Sequence, residues 1–113
     1  MKIYLKYGLV FSLFAIQIVY LGSCSSGAEN SKAMALIESS GCQTCHKYEG
    51  ALIGPAYADV AKRYAGGGEE VVNALANSVI AGGSGNWGEV PMTPHPHISE
   101  EDAETMIRYI LSL

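Results

Sequence analysis

The chain has 113 residues, seven Lys and Arg against eleven Asp and Glu, a formal charge of −4, and three Cys. That length admits one domain at most. An acidic surface repels phosphate backbones, which excludes nucleic acid as a partner. So few thiols also exclude a disulfide-stapled framework.

The first stretch, MKIYLKYGLVFSLFAIQIVYLGSC, sets Lys2 and Lys6 ahead of an apolar run from Gly8 to Leu21. The run is shorter than the roughly 18 apolar residues that mark a membrane span. Its order of charged then apolar regions is that of a secretory signal, which is set aside from fold reasoning. The end, LGSC at 21–24, resembles a bacterial lipoprotein box, in which the Cys is lipidated and becomes the mature N-terminus. The plain alternatives are an ordinary cut nearby with Cys24 incidental, or an uncleaved anchor. The expectation is a signal peptide over 1–23, lipidation at Cys24, a tether over 24–31 and a folded domain over 32–113. Losing Lys2 and Lys6 leaves five basic groups against eleven acidic ones, a charge of −6 on 90 residues. The tether SSGAENS reaches at most about 25 Å when extended.

From Ser31 the apolar period is helical. Ala33, Leu36, Ile37 and Ser40 recur at i, i+3, i+4 and i+7 and predict a first helix that ends at Gly41. After GCQTCH, residues 47–55 read as loop, punctuated by Gly50, Gly54 and Pro55. AYADVAKRY predicts a short second helix, stopped by Gly66 to Gly68. A third opens on Glu69 and Glu70, acidic groups suited to the positive end of its dipole. It is expected to bury Val71, Val72, Leu75, Val79 and Ile80. A long loop from Gly82 to Ile98 then carries Trp87, three prolines, Met92, His95 and His97. Ser99 is positioned to cap a last helix whose first turn holds Glu100, Glu101 and Asp102. Ala103, Met106, Ile107 and Ile110 line its inner stripe, with Tyr109 on the flank. No stretch alternates at period two. The predicted class is all-α, four short helices with loops large enough to wrap around something.

The stretch CQTCH admits three readings. Zinc would need partners beyond Cys42, Cys45 and His46, with His95 or His97 as the candidates. A redox dithiol would want a βαβ setting, for which there is no sign. A covalent haem needs two thiols one helical turn apart, with the next His projecting at the iron from the same side. C-x-x-C-H in an exported chain meets that need. A sixth iron ligand would then be a soft thioether on a restrained loop, and Met92 lies between Pro91 and Thr93-Pro94. Core filler is the plain role for any Met, and Met34 and Met106 fit helical stripes as such filler.

Taken in order and spacing, GCQTCH, IGPAY, GNWGEVPM and SEEDAETMIRYILSL resemble the class I c-type cytochromes, specifically the small single-haem bacterial type. The resemblance spans nearly all of residues 31–113. It implies a class I cytochrome c fold wrapped around one covalent haem c, with thioethers at Cys42 and Cys45. His46 would be the proximal ligand, Met92 the distal one, and the Pro55 carbonyl would accept from the proximal imidazole. Trp87 would donate its indole N–H to a haem propionate, although an apolar wall is an equally ordinary role for a Trp. Tyr48, Tyr57 and Tyr64 are further propionate candidates. The resemblance also implies that the first and last helices cross closely at small residues, with the face around Ala33 and Leu36 on Met106, Tyr109 and Ile110. The chain departs from the family in TPHPHIS after Met92, where Thr93 replaces a proline and His95 and His97 become rival ligands.

With both axial positions filled, the implied activity is one-electron transfer by a non-enzymatic carrier of the cell envelope. Its partners would be redox proteins, a respiratory donor and a terminal oxidase or reductase, met over a small transient interface. The membrane would be reached through a lipid anchor on the periplasmic side. Glu69, Glu70, Glu89 and Glu100 are candidates to guide a basic partner, with simple solvation as their ordinary role. Two other classes compete: a small zinc-binding lipoprotein, and a haem sensor or enzyme with an open sixth site.

Overall fold

The computed structural model describes residues 25–113. The signal segment 1–23 and the lipidation candidate Cys24 lie outside the described residues. Among the described residues four α-helices follow in order: α1, Ser25–Ser39; α2, Tyr57–Arg63; α3, Gly68–Ala81; and α4, Glu100–Leu111. A single 3-10 turn at Cys42–Thr44 lies between α1 and α2. Among the described residues there is no strand, only an isolated antiparallel bridge between Gly83 and Met92.

The last helix organises the domain, because it packs on each of the other three. Its register is set at its start, where Ser99 accepts from the Asp102 backbone N–H at 3.1 Å. That bond satisfies one of the donors left open in a first helical turn. Ala103, Met106, Ile107 and Ile110 are then buried along one stripe. Against this stripe lie Ile37 of α1, Tyr57 and Val60 of α2, and Val72, Ala76 and Val79 of α3. The approach of α1 to α4 is close because both present alanine, Ala33 and Ala103, each wholly buried. Lys32 and Asp102 close the edge of that contact at 2.8 Å.

Three expectations require correction. The stretch Ser25–Ser31, expected as a tether, is the opening two turns of α1, with Ser31 Oγ donating to the Gly27 carbonyl at 2.9 Å. Ala28 and Glu29 are good helix formers, and nothing in the stretch is long-range or apolar enough to oppose continuation of the i→i−4 ladder. Met34 is no core filler: it is 47% exposed, whereas Met106 is buried. In α3 the buried positions are Val72, Ala76 and Val79, while Val71, Leu75 and Ile80 are only half-buried. Ala76 takes the innermost place because a methyl group allows α3 and α4 to approach closely.

Candidate functional site

Gly41 ends α1 in the left-handed region, φ 70°, where only glycine is unstrained. The chain reverses there into the 3-10 turn, and the N–H groups of Cys45 and His46 both donate to the Cys42 carbonyl, at 3.2 and 3.0 Å. This fold of five residues brings Cys42, Cys45 and His46 to the wall of one cavity of about 510 Å³. That volume is in the range of sites that enclose a small organic group. Met92, Trp87, Pro55, Tyr57, Tyr64 and His95 line the same cavity, and Val79, Met106, Ile107 and Ile110 form its apolar floor.

The loop between His46 and α2 is closed on itself. Gly54 donates to the Cys45 carbonyl at 2.8 Å, and Tyr57 and Ala58 donate to the carbonyls of Lys47 and Tyr48. His46 is thereby seated against Pro55, its Nδ1 donating to the Pro55 carbonyl at 2.8 Å. A carbonyl only accepts, so Nδ1 carries the proton and Nε2 is left with its lone pair for a metal. A Cβ added at Gly54 would fall 2.5 Å from His46 Cε1 and 2.8 Å from its Nδ1. Glycine is required there by the imidazole, not by the backbone angle. On its flank Tyr57 stacks at 5.7 Å and 17°, and Tyr48 meets Tyr57 edge-on at 5.4 Å.

Met92 is held differently. It lies in a loop, but its backbone is fixed across the cavity mouth by Gly83: Gly83 N–H donates to the Met92 carbonyl and Met92 N–H to that of Gly83. Trp87 stands in the excursion between them, 42% exposed, edge-on to Tyr64 at 6.3 Å. The Arg63 guanidinium lies over its ring at 4.5 Å.

The chemistry of this wall fits one of the expected groups. A redox dithiol needs a lowered thiol pKa, whereas burial pushes the Cys42 thiol above its ordinary value. A zinc site needs converging ligands, but among the described residues no group of three His, Cys, Asp or Glu side chains is arranged to hold a metal ion. His95 and His97 pair with each other, at 5.9 Å between rings. A haem fits: two thiols and an oriented imidazole border a large apolar cavity that a thioether also lines. Two polar atoms on this lining, Tyr57 Oη and His95 Nδ1, are buried without any partner, as expected of a wall shaped to meet a bound group. The same burial holds the Tyr57 phenol well above its ordinary value. Of the two rival histidines, His95 lines the cavity and His97 does not. Glu69 is not a free acidic group, since Arg108 Nη1 donates to both its oxygens at 2.7 and 2.8 Å.

Sequence pattern gives no sign of two contacts, the Tyr57 stack on His46 and the Arg63 contact with the Trp87 loop. IGPAY placed Tyr57 at the site but gave no ring geometry. Nothing in spacing pairs Arg63 with the carbonyl of Asn86, to which its Nη1 donates at 2.6 Å.

A family model described as cytochrome c matches residues 31–113. Cytochrome c-551 of Allochromatium vinosum is 44% identical over 80 residues, covering 71% of this chain and 84% of that one. Cytochrome c-552 of Hydrogenobacter thermophilus is 44% identical over 78 residues, covering 69% and 78%. Among solved structures, wild-type cytochrome c552 of Nitrosomonas europaea superposes with a TM-score of 0.66 at 35% identity, covering 71% of this chain and 98% of that one.

Proposed function

Since the chain belongs to the cytochrome c family, as a small class I electron carrier with one covalent haem c, we propose that Cys42 and Cys45 bind that haem by thioethers and that His46 and Met92 are its axial ligands. The haem supplies an iron that cycles between ferrous and ferric states. The Pro55 carbonyl orients the His46 ring and raises the basicity of Nε2. The thioether of Met92, presented by a bridged loop, favours the reduced state and a high potential. Val79, Met106, Ile107 and Ile110 keep water from the interior, which tunes the potential further. Trp87 and Tyr64, which line the cavity, would meet a propionate. With His46 and Met92 both holding the iron, no position would be left open to a substrate, which supports a carrier over an enzyme.

The carrier works on the periplasmic side of the cell envelope. The LGSC box supports a signal over 1–23 and a lipid anchor at Cys24. No described helix is long and apolar enough to cross a membrane. Its partners are a respiratory donor and a terminal oxidase or reductase. Glu70, Glu89 and Glu100, which make no ion pair among the described residues, are available to a basic docking face.

The observation that carries this reading is His46, anchored through Nδ1 to Pro55 with Nε2 left for a metal, on the wall that Cys42, Cys45 and Met92 share. The test is the intact mass and visible spectrum of protein from a host able to mature such adducts. The expected result is one haem that survives denaturation in the parent and none in Cys42→Ala/Cys45→Ala. A colourless parent lacking the added mass would overturn it.

A further inference from the structure

The loop from Ser84 to Pro91 is a bare excursion. Within it, Gly85 N–H donates to the Gly88 carbonyl at 2.7 Å, and both glycines have positive φ, 103° and 119°. Its apolar side chains are largely exposed, Val90 at 65% and Trp87 at 42%. At its base it is joined by the Gly83–Met92 bridge. Elsewhere only one side chain among the described residues donates to its backbone: Arg63 Nη1, to the Asn86 carbonyl at 2.6 Å.

Arg63 is committed to this contact. Asp59, one turn earlier on α2, has the spacing for an ion pair, yet Arg63 forms none. Its guanidinium instead covers the Trp87 ring at 4.5 Å and lies 5.6 Å from the Tyr64 ring. A planar fork can donate to a carbonyl and stack on an indole at once; an ammonium cannot do both. Arg63 is also the last residue of α2, a helix of seven residues that starts just after Pro55. One short rigid element therefore ends, at one side, on the acceptor of His46 and, at the other, on the loop that leads into Met92.

We propose that Arg63 is a positioning residue that clamps the 84–91 loop and sets how often Met92 swings out of the cavity. The inference rests on the reading of Met92 as an axial ligand. Loosening the clamp leaves the core helices in place and frees only the excursion, so that the Gly83–Met92 bridge opens more often.

The test uses the ferric holoprotein. Stopped-flow binding of imidazole, which enters when Met92 leaves, is measured with amide exchange at Gly83 and Met92 and with the denaturant midpoint. Arg63→Gln is expected to accelerate both imidazole entry and amide exchange roughly thirty-fold or more, the scale of one charged hydrogen bond plus one cation–π contact. The midpoint should move far less, and Arg63→Lys should recover part of the loss. Unchanged rates would overturn the proposal, as would rates that rise only in step with global unfolding. If the parent already binds imidazole at once, Met92 is not the ligand, and amide exchange alone then decides whether Arg63 is the clamp.

Discussion

Gly83 and Met92 exchange a reciprocal pair of backbone hydrogen bonds, Gly83 N–H to the Met92 carbonyl at 3.1 Å and Met92 N–H to the Gly83 carbonyl at 2.8 Å. This ties a residue of an irregular loop to the end of α3, since the Gly82 N–H still donates to Ser78.

Gly82 is the pivot of that connection. It takes φ 66° and ψ −167°, a region open essentially to glycine alone. An added Cβ would meet the Met92 carbonyl oxygen at 2.5 Å and Pro94 N at 2.8 Å, both backbone atoms with nowhere to go. Gly82→Ala is expected to cost about 2 kcal/mol or more and to part the bridge. Denaturant midpoints and amide exchange at Met92 check this; exchange as slow as in the parent would refute it.

Gly54→Ala has a different target. Its Cβ would press on the His46 ring, so the imidazole must shift from Pro55. Overpacking of this kind costs about 1–3 kcal/mol, and the holoprotein should show an altered midpoint potential with both thioethers intact. A potential and a denaturation curve identical to the parent's would contradict the packing described.

Met92→Ala should open the iron while leaving the haem attached. Carbon monoxide is then expected to bind the reduced variant rapidly and stoichiometrically, and the potential to fall, because the thioether favours the reduced state. The ferric far-red absorption band that marks sulfur ligation should vanish. Its survival would mean that Met92 is not the ligand. A low-spin variant closed to carbon monoxide would identify His95 as a substitute, the one rival histidine on the cavity wall.

The α1–α4 edge should make stability depend on acid. A hydrogen bond from Lys32, and then one with Ser99, holds the Asp102 carboxyl below its ordinary value of 3.8. A lowered folded-state pKa gives stabilisation that is complete above the ordinary value and lost as pH falls through the lowered one. Asp102→Asn should therefore flatten the acid limb of the unfolding midpoint below about pH 4. The difference should shrink in high salt, since the pair is open to solvent. An acid limb unchanged by the substitution would exclude the contact as its cause.

Much of this was legible in the residues, for physical reasons. Ser99 with three acidic groups after it marks the start of α4 by local bonding, and the stripe Ala103, Met106, Ile107 and Ile110 marks its inner face by periodicity. GCQTCH points to the proposed haem attachment because that chemistry requires fixed spacing. What stayed hidden depends on contacts between distant segments. Leu75 fits a buried stripe, yet the structure gives it to the cavity wall. Met34 fits the same pattern, but α1 reaches α4 on the Ala33 and Ile37 side and leaves Met34 to solvent. The Arg63 clamp joins a helix end to an irregular loop, and neither partner carries a local signal.

The helical opening of α1 bears on how far the domain can roam. Wound at about 1.5 Å per residue, Ser25–Ser31 advances roughly 10 Å, against about 25 Å for the same residues drawn out. Were the anchor proposed at Cys24 to join it to the bilayer, such a stalk would behave as a boom on a pivot, its sweep narrow and its orientation shared with the helix. Encounter would then favour membrane-bound partners standing close beside it over those that drift past at a distance.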